Sequence, residues 1–154
     1  MSSIPPSAET AGREGSRLCL ACGLCCQGVL HRGAHIEHDE IETVRRLGLT
    51  VIASEEGPVF PLPCHLHQEG RCTVYTERPN VCHSYQCKLL RRYLTGEVGW
   101  DDCMRLIDLA KDLMTQISRR GPADLETLVD TAALAIHCKK NFLNRAQPKV
   151  VLGP

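Results

Sequence analysis

The chain has 154 residues, a formal net charge of zero and a pI near 7.0, so its overall charge points to neither a polyanion-binding surface nor an acidic tail. That length suits one domain with a modest core, and two Phe, three Tyr and one Trp leave the core short of aromatic material. Ten cysteines are the candidate for what stabilises it instead.

Residues 1–17, MSSIPPSAETAGREGSR, have almost nothing to bury and predict a disordered leader that is neither signal peptide nor membrane anchor. A cytoplasmic, reducing setting is therefore expected, with cysteines serving as metal ligands rather than as a disulfide framework. Cys19, Cys22, Cys25 and Cys26 follow with the spacing C-x2-C-x2-C-C. Side chains three residues apart converge over a single turn of chain, and Gly23 lets the backbone bend between them, so three of these thiols can share one centre. Cys25 and Cys26 are adjacent and diverge, which implies two centres, or one centre with an accessory thiol.

Gly28 to Gly33 predicts a turn. Residues 35–48 predict a short amphipathic helix, because Ile41, Val44 and Leu47 recur at three-residue spacing, acidic residues come first, Arg45 and Arg46 come last, and Gly48 stops it. The neighbouring His31, His35 and His38 are expected to be exposed rather than ligands. Residues 49–63, with Gly57, Pro58, Pro61 and Pro63, predict an extended loop. A small hairpin follows, with its turn centred near Gln68 and Cys64 opposite Cys72, about 4.5 to 5.5 Å apart at Cβ. That separation suits two ligands of one metal, and it would also suit a disulfide.

Pro79 predicts a bend that presents Cys82 at a helix start, where the first turn stabilises a thiolate. Cys87 is expected inside that helix, which runs to Gly96. Its basic face of Lys88, Arg91 and Arg92 reads as solvated, since no aromatic-interleaved basic surface accompanies it to favour nucleic acid. Trp100 to Arg119 and the stretch from Pro122 predict two helices packed as an antiparallel hairpin. Their apolar stripes are Cys103, Leu106, Ile107, Ala110, Leu113, Met114 and Ile117 on the first, and Leu125, Leu128, Val129, Ala132, Ala135, Ile136, Phe142 and Leu143 on the second. Cys103 and Cys138 read as packing thiols. The expected fold is mainly α: a leader over 1–17, an irregular cysteine-rich metal-binding domain with a short β-hairpin over 18–97, a helical hairpin packed on it over 98–145, and a tail over 146–154.

The run C-x2-C-x2-C-C, then Cys64, Cys72-Thr-Val-Tyr75-x-x-Arg78-Pro79-x-x-Cys82 and Cys87, resembles the YkgJ-like CxxCxxCC family, described as zinc- or iron-chelating. The resemblance covers residues 19–88 and implies that Cys19, Cys22, Cys25, Cys26, Cys64, Cys72, Cys82 and Cys87 are the metal ligands. His83 and Gln86 stand where the family pattern commonly has Arg and Pro. Related cysteine patterns occur in a flagellin lysine methylase, but no Gly-rich cofactor loop is visible here.

Three functions are open at this point. One is an iron–sulfur protein, with a [4Fe–4S] cluster alone or beside a second metal, in a redox, metal-handling or regulatory role. Another is a structural zinc module with two four-cysteine sites, presenting a surface to a protein partner. The third is an enzyme using His65, His67 or His83, ranked last because no acid, base and nucleophile set is recognisable. Eight thiolates on two Zn²⁺ would leave about −4, and four on a [4Fe–4S]²⁺ cluster about −2, so Arg71 and Arg78 are candidate counter-charges.

Overall fold

The computed structural model describes residues 8–120 and 125–144. Among these, six α-helices are interspersed with two small antiparallel sheets. No helix among the described residues is long and apolar enough to cross a membrane. Two compact units form, and they cut across the boundary expected at residue 97. Gly23–Gln86 makes one, while the segment ending at Cys22 and the segment beginning at Cys87 together make the other.

The discontinuous unit contains α1 (Ala8–Cys22), α4 (Lys88–Leu94), α5 (Trp100–Arg120) and α6 (Leu125–Asn141). Helix α1 corrects the expected leader over residues 8–17; residues 1–7 lie outside the described residues. Its composition is weakly apolar, and tertiary packing decides its state. Leu18 is buried, and Gly15 lies so close to α4 that a Cβ there would stand 3.4 Å from Leu90. The Arg17 guanidinium lies 5.0 Å from the Trp100 ring centroid, and Lys111 Nζ donates to Ala21 O at 2.6 Å where the last carbonyls of α1 need partners.

The expected stripe of α5 is met, with Cys103, Ile107 and Ala110 fully buried. Arg120 at its end pairs with Glu126 and Asp130 near the start of α6, while His137 Nε2 lies 2.7 Å from Leu106 O, so α5 and α6 run antiparallel. The expected stripe of α6 is met at Phe142, which is fully buried, and corrected along the helix itself. Thr127, Cys138 and Asn141 are buried, whereas Leu125, Leu128, Val129 and Ile136 are exposed. Apolar residues occupy both sides of this helix, and periodicity alone selected the outer one. The expected helix start at Pro122 and the tail over 146–154 lie outside the described residues.

In the contiguous unit, β1 (Gly33–His35), β2 (Ile52–Ser54) and β3 (Gly57–Pro61) form a sheet in the order β1-β3-β2. This corrects the loop expected over 49–63 and the helix start expected at residue 35, while residues 28–32 form the turn expected there. Pro58 and Pro61 read as breakers, yet they sit near the ends of β3, where a missing N–H interrupts little of the ladder. Ala34 pairs with Phe60, and Ala53 with Pro58. A 3₁₀ turn (His38–Glu40) leads into α2 (Ile41–Arg46), and Gly48 closes it at φ 89°, as its pattern predicted. Phe60, Ile36, Val44 and Leu49 form the buried core, with Leu66, Val81, Cys64 and Cys82 packed against it.

The hairpin is tighter than expected. Strands β4 (His67–Gln68) and β5 (Arg71–Cys72) are joined by Glu69 and Gly70, both at positive φ, so Cys72 faces His67 and not Cys64. A two-residue turn of that kind matches strand twist, which a turn centred on Gln68 would not. Helix α3 (Asn80–Ser84) starts after Pro79 as predicted. It stops at the extended Tyr85, so Cys87 lies outside it and caps α4.

Among the described glycines of this unit, Gly28 makes the tightest approach: at φ +74°, a Cβ would stand 2.9 Å from Pro63 N. Gly28→Ala is expected to cost about 1–3 kcal/mol. An unchanged denaturation midpoint would show that the Leu62–Pro63 backbone yields without cost.

Candidate metal centre

None of the ten cysteines is in a disulfide. The eight expected ligands divide between the two units. Cys19 and Cys22 occupy the last turn of α1, and Cys87 belongs to the same unit; Cys25, Cys26, Cys64, Cys72 and Cys82 belong to the other. Cys25 follows Gly23, whose φ of +65° turns the chain out of α1.

Backbone hydrogen bonds assemble the second set. Cys64 N donates to Cys26 O at 2.7 Å, and His67 N donates to Cys64 O at 3.1 Å. His67 pairs with Cys72 across the hairpin. Cys82 sits in the first turn of α3, its N–H donating to Pro79 O at 2.9 Å. Glu40 secures that turn, its carboxylate accepting from Asn80 N at 2.7 Å while its other oxygen accepts from Glu37 N at 2.9 Å.

These thiols are coupled electrostatically. Burial pushes the Cys82 thiol up to about 12, and the charges of Cys26, Cys64 and Cys72 add to the rise. Cys26 is raised by burial first and then by Cys64 and Cys72; Cys64 is raised by burial and by Cys72. Arg78 works against this, favouring the thiolates of Cys26 and Cys82. Its guanidinium lies 3.7 Å from the Tyr75 ring centroid and donates to Tyr75 O at 2.9 Å and Cys82 O at 3.2 Å. His83 Nδ1 stands 3.3 Å from the same guanidinium. The Tyr-x-x-Arg-Pro spacing is the signal for this platform, since it puts Arg78 one turn beyond Tyr75. Arg71, the other expected counter-charge, is exposed on β5 and does not figure among the charges acting on these thiols.

In the first set, Cys87 Sγ accepts from Leu90 N at 3.4 Å as the cap of α4. Burial raises this thiol, while the Leu90 and Leu89 N–H groups and Arg91 favour its thiolate. Lys88 N donates to Phe142 O at 2.9 Å and Lys88 Nζ to Lys140 O at 2.8 Å, fixing the start of α4 against the end of α6. Arg92 pairs with Glu97, so the basic face of α4 is engaged within the fold. Cys103 and Cys138 are buried; Cys138 is pushed up to about 11 by burial, as an inert packing thiol would be.

The histidines take other roles. His31 Nε2 lies 2.9 Å from the Tyr85 hydroxyl, and burial holds this imidazole below its ordinary range. His35 stands 3.7 Å from Glu56. Among the described residues, no three His, Cys, Asp or Glu side chains already stand at the spacing of a closed metal shell. The four coupled thiols are a neighbourhood rather than a finished coordination sphere. Their chemistry nonetheless fits a soft cation: all are sulfur, they disfavour one another as anions, and one arginine offsets part of that charge. The Tyr75 hydroxyl beside this platform is buried without a hydrogen-bond partner.

A family model, CxxCxxCC, described as "Putative zinc- or iron-chelating domain", matches residues 18–105. No curated protein and no solved structure matches the chain.

Thiols held in the protonated form must lose protons to a metal, so affinity is expected to rise with pH by about tenfold per unit for each proton released. Competition with a chelator at several pH values around neutrality measures this; a flat profile would mean that the ligands are already thiolates. Arg78→Met is expected to weaken zinc binding by about tenfold, with Arg78→Lys restoring little because an ammonium cannot both stack and reach two carbonyls. Full rescue by lysine would reduce the role of Arg78 to charge alone.

Proposed function

Since the chain belongs to the CxxCxxCC family of zinc- or iron-chelating domains, we propose that its eight cysteines hold two metal centres of different kind. One set is Cys26, Cys64, Cys72 and Cys82. The other draws on Cys19, Cys22 and Cys87. What carries this reading is that Cys26, Cys64, Cys72 and Cys82 lie in the contiguous unit, where their charges act on one another, while Cys19, Cys22 and Cys87 lie in the other unit. The C-x2-C-x2-C run that opens at Cys19 is a recognised arrangement for a [4Fe–4S] cluster. Four thiolates drawn from scattered positions around a hairpin suit a structural zinc ion.

A cluster, when bound, supplies one-electron chemistry, and zinc, being d¹⁰, supplies none. Cys87 would hold its cluster from the end of a helix whose N–H groups already favour its thiolate, and Arg78 would offset charge at the zinc set. The role proposed is electron transfer, redox sensing or metal handling in a reducing, cytoplasmic setting where ten thiols stay reduced.

Anaerobic purification with metal and sulfide analysis tests both centres. The expected product is brown, bleaches with dithionite, and carries zinc as well as iron. Cys22→Ala is expected to remove the colour and keep the zinc, and Cys82→Ala to do the reverse. A colourless anaerobic protein with about two zinc ions and no sulfide would replace this reading with the two-site structural zinc module.

A further inference from the structure

Beyond metal chelation, we infer that the outer face of α6 is a self-association surface, on which a second copy of this chain packs its own α6 in antiparallel fashion. Leu125, Leu128, Val129 and Ile136 are 74%, 58%, 61% and 69% exposed, and with Ala132 they follow the spacing i, i+3, i+4, i+7, i+11 of a single helical stripe. The opposite side is already committed to the fold through Thr127, Cys138 and Asn141. Isolated exposed apolar residues need no explanation, but a continuous stripe opposite the buried face does.

The stripe is self-complementary. Leu128 and Ile136 lie equally far from Ala132, four residues to either side. A two-fold axis through Ala132 therefore sets Leu128 against Ile136 of the partner subunit, with the small Ala132 at the crossing point where backbones come closest. Charge selects the same direction. Glu126 lies at one end of α6, Lys139 and Lys140 at the other. Antiparallel pairing brings Glu126 alongside Lys140 of the partner subunit on the same side of the seam, whereas parallel pairing would set like charges together. Glu126 also lies 3.4 Å from Arg120, so it would be shared between the two cations.

A seam of 17 residues, about 25 Å long, is smaller than the roughly 1,600 Å² of a standard interface, so a concentration-dependent dimer of micromolar affinity is expected.

Sedimentation equilibrium of the metal-loaded full chain over about a hundredfold concentration range tests this. The wild type is expected to pass from monomer to dimer. Ile136→Glu should weaken association at least about tenfold while metal content and helical circular dichroism stay unchanged. Glu126→Lys should weaken it severalfold, and Glu126→Lys combined with Lys140→Glu should restore it, a rescue that mere damage to α6 would not give. A wild-type chain that stays monomeric throughout, or an Ile136→Glu variant that associates as the wild type does, overturns the inference. So does a chain lacking residues 145–154 that dimerises when the full chain cannot, since that would assign the face to the removed segment.

Discussion

Sulfur atoms brought close together inside a protein resist ionisation, and they resist it more for each neighbour that ionises. The contiguous unit places Cys26, Cys64 and Cys82 under this constraint, with the charge of Cys72 acting on each, and burial is the larger cause. Such a group is comfortable either as thiols or around a multiply charged cation. One guanidinium is too little to neutralise four thiolates, which is why Arg78 reads as support for a metal rather than as a substitute for it. Disulfides would relieve the same pressure, and none is present.

The rest of that unit holds the four sulfurs in this relation. The Cys26 carbonyl receives the Cys64 amide, and Gly28 lets the next stretch of chain pass close enough for this to happen. The Glu40 carboxylate bridges the 3₁₀ turn and the first turn of α3, and so sets where Cys82 emerges. Cys64 and Cys82 also pack against the Phe60 core, so the apolar centre and the thiol group share a border. The Cys87 set is built on another principle. There a helix end is the support, with the sulfur acting as cap for α4 while Lys88 ties that helix to the end of α6.

Much of this was legible in the residues. The mainly α character, the helix ending at Gly48, the Pro79 start before Cys82 and the stripe of α5 all follow from periodicity and capping signals that act locally. Family membership was legible too, because eight cysteines and Tyr-x-x-Arg-Pro are strong in combination. What escaped depended on distant partners. Residues 8–17 have little to bury, yet Leu90, Leu94 and Trp100 give that stretch of α1 something to pack on. Strands of three to five residues with proline at their margins carry too short an alternation to recognise. The division into two sets that we propose was legible only as a question, raised by the adjacency of Cys25 and Cys26. Which sulfurs feel each other's charge is a property of the folded chain.

The contiguity of Gly23–Gln86 matters for how the molecule is made. A ribosome delivers residues in order, and this unit is complete, with all four of its coupled thiols, once Gln86 has emerged. Helix α1 is synthesised earlier but has to wait longer, since α4 and α5, against which it packs, come after the whole inserted unit. During that interval Cys19 and Cys22 stand on a segment that lacks its neighbours, while Cys87 has yet to appear. Vectorial synthesis therefore imposes an order on the two proposed ligand sets that their adjacency in the chain conceals: the later-starting unit can close first, and the discontinuous one only after it.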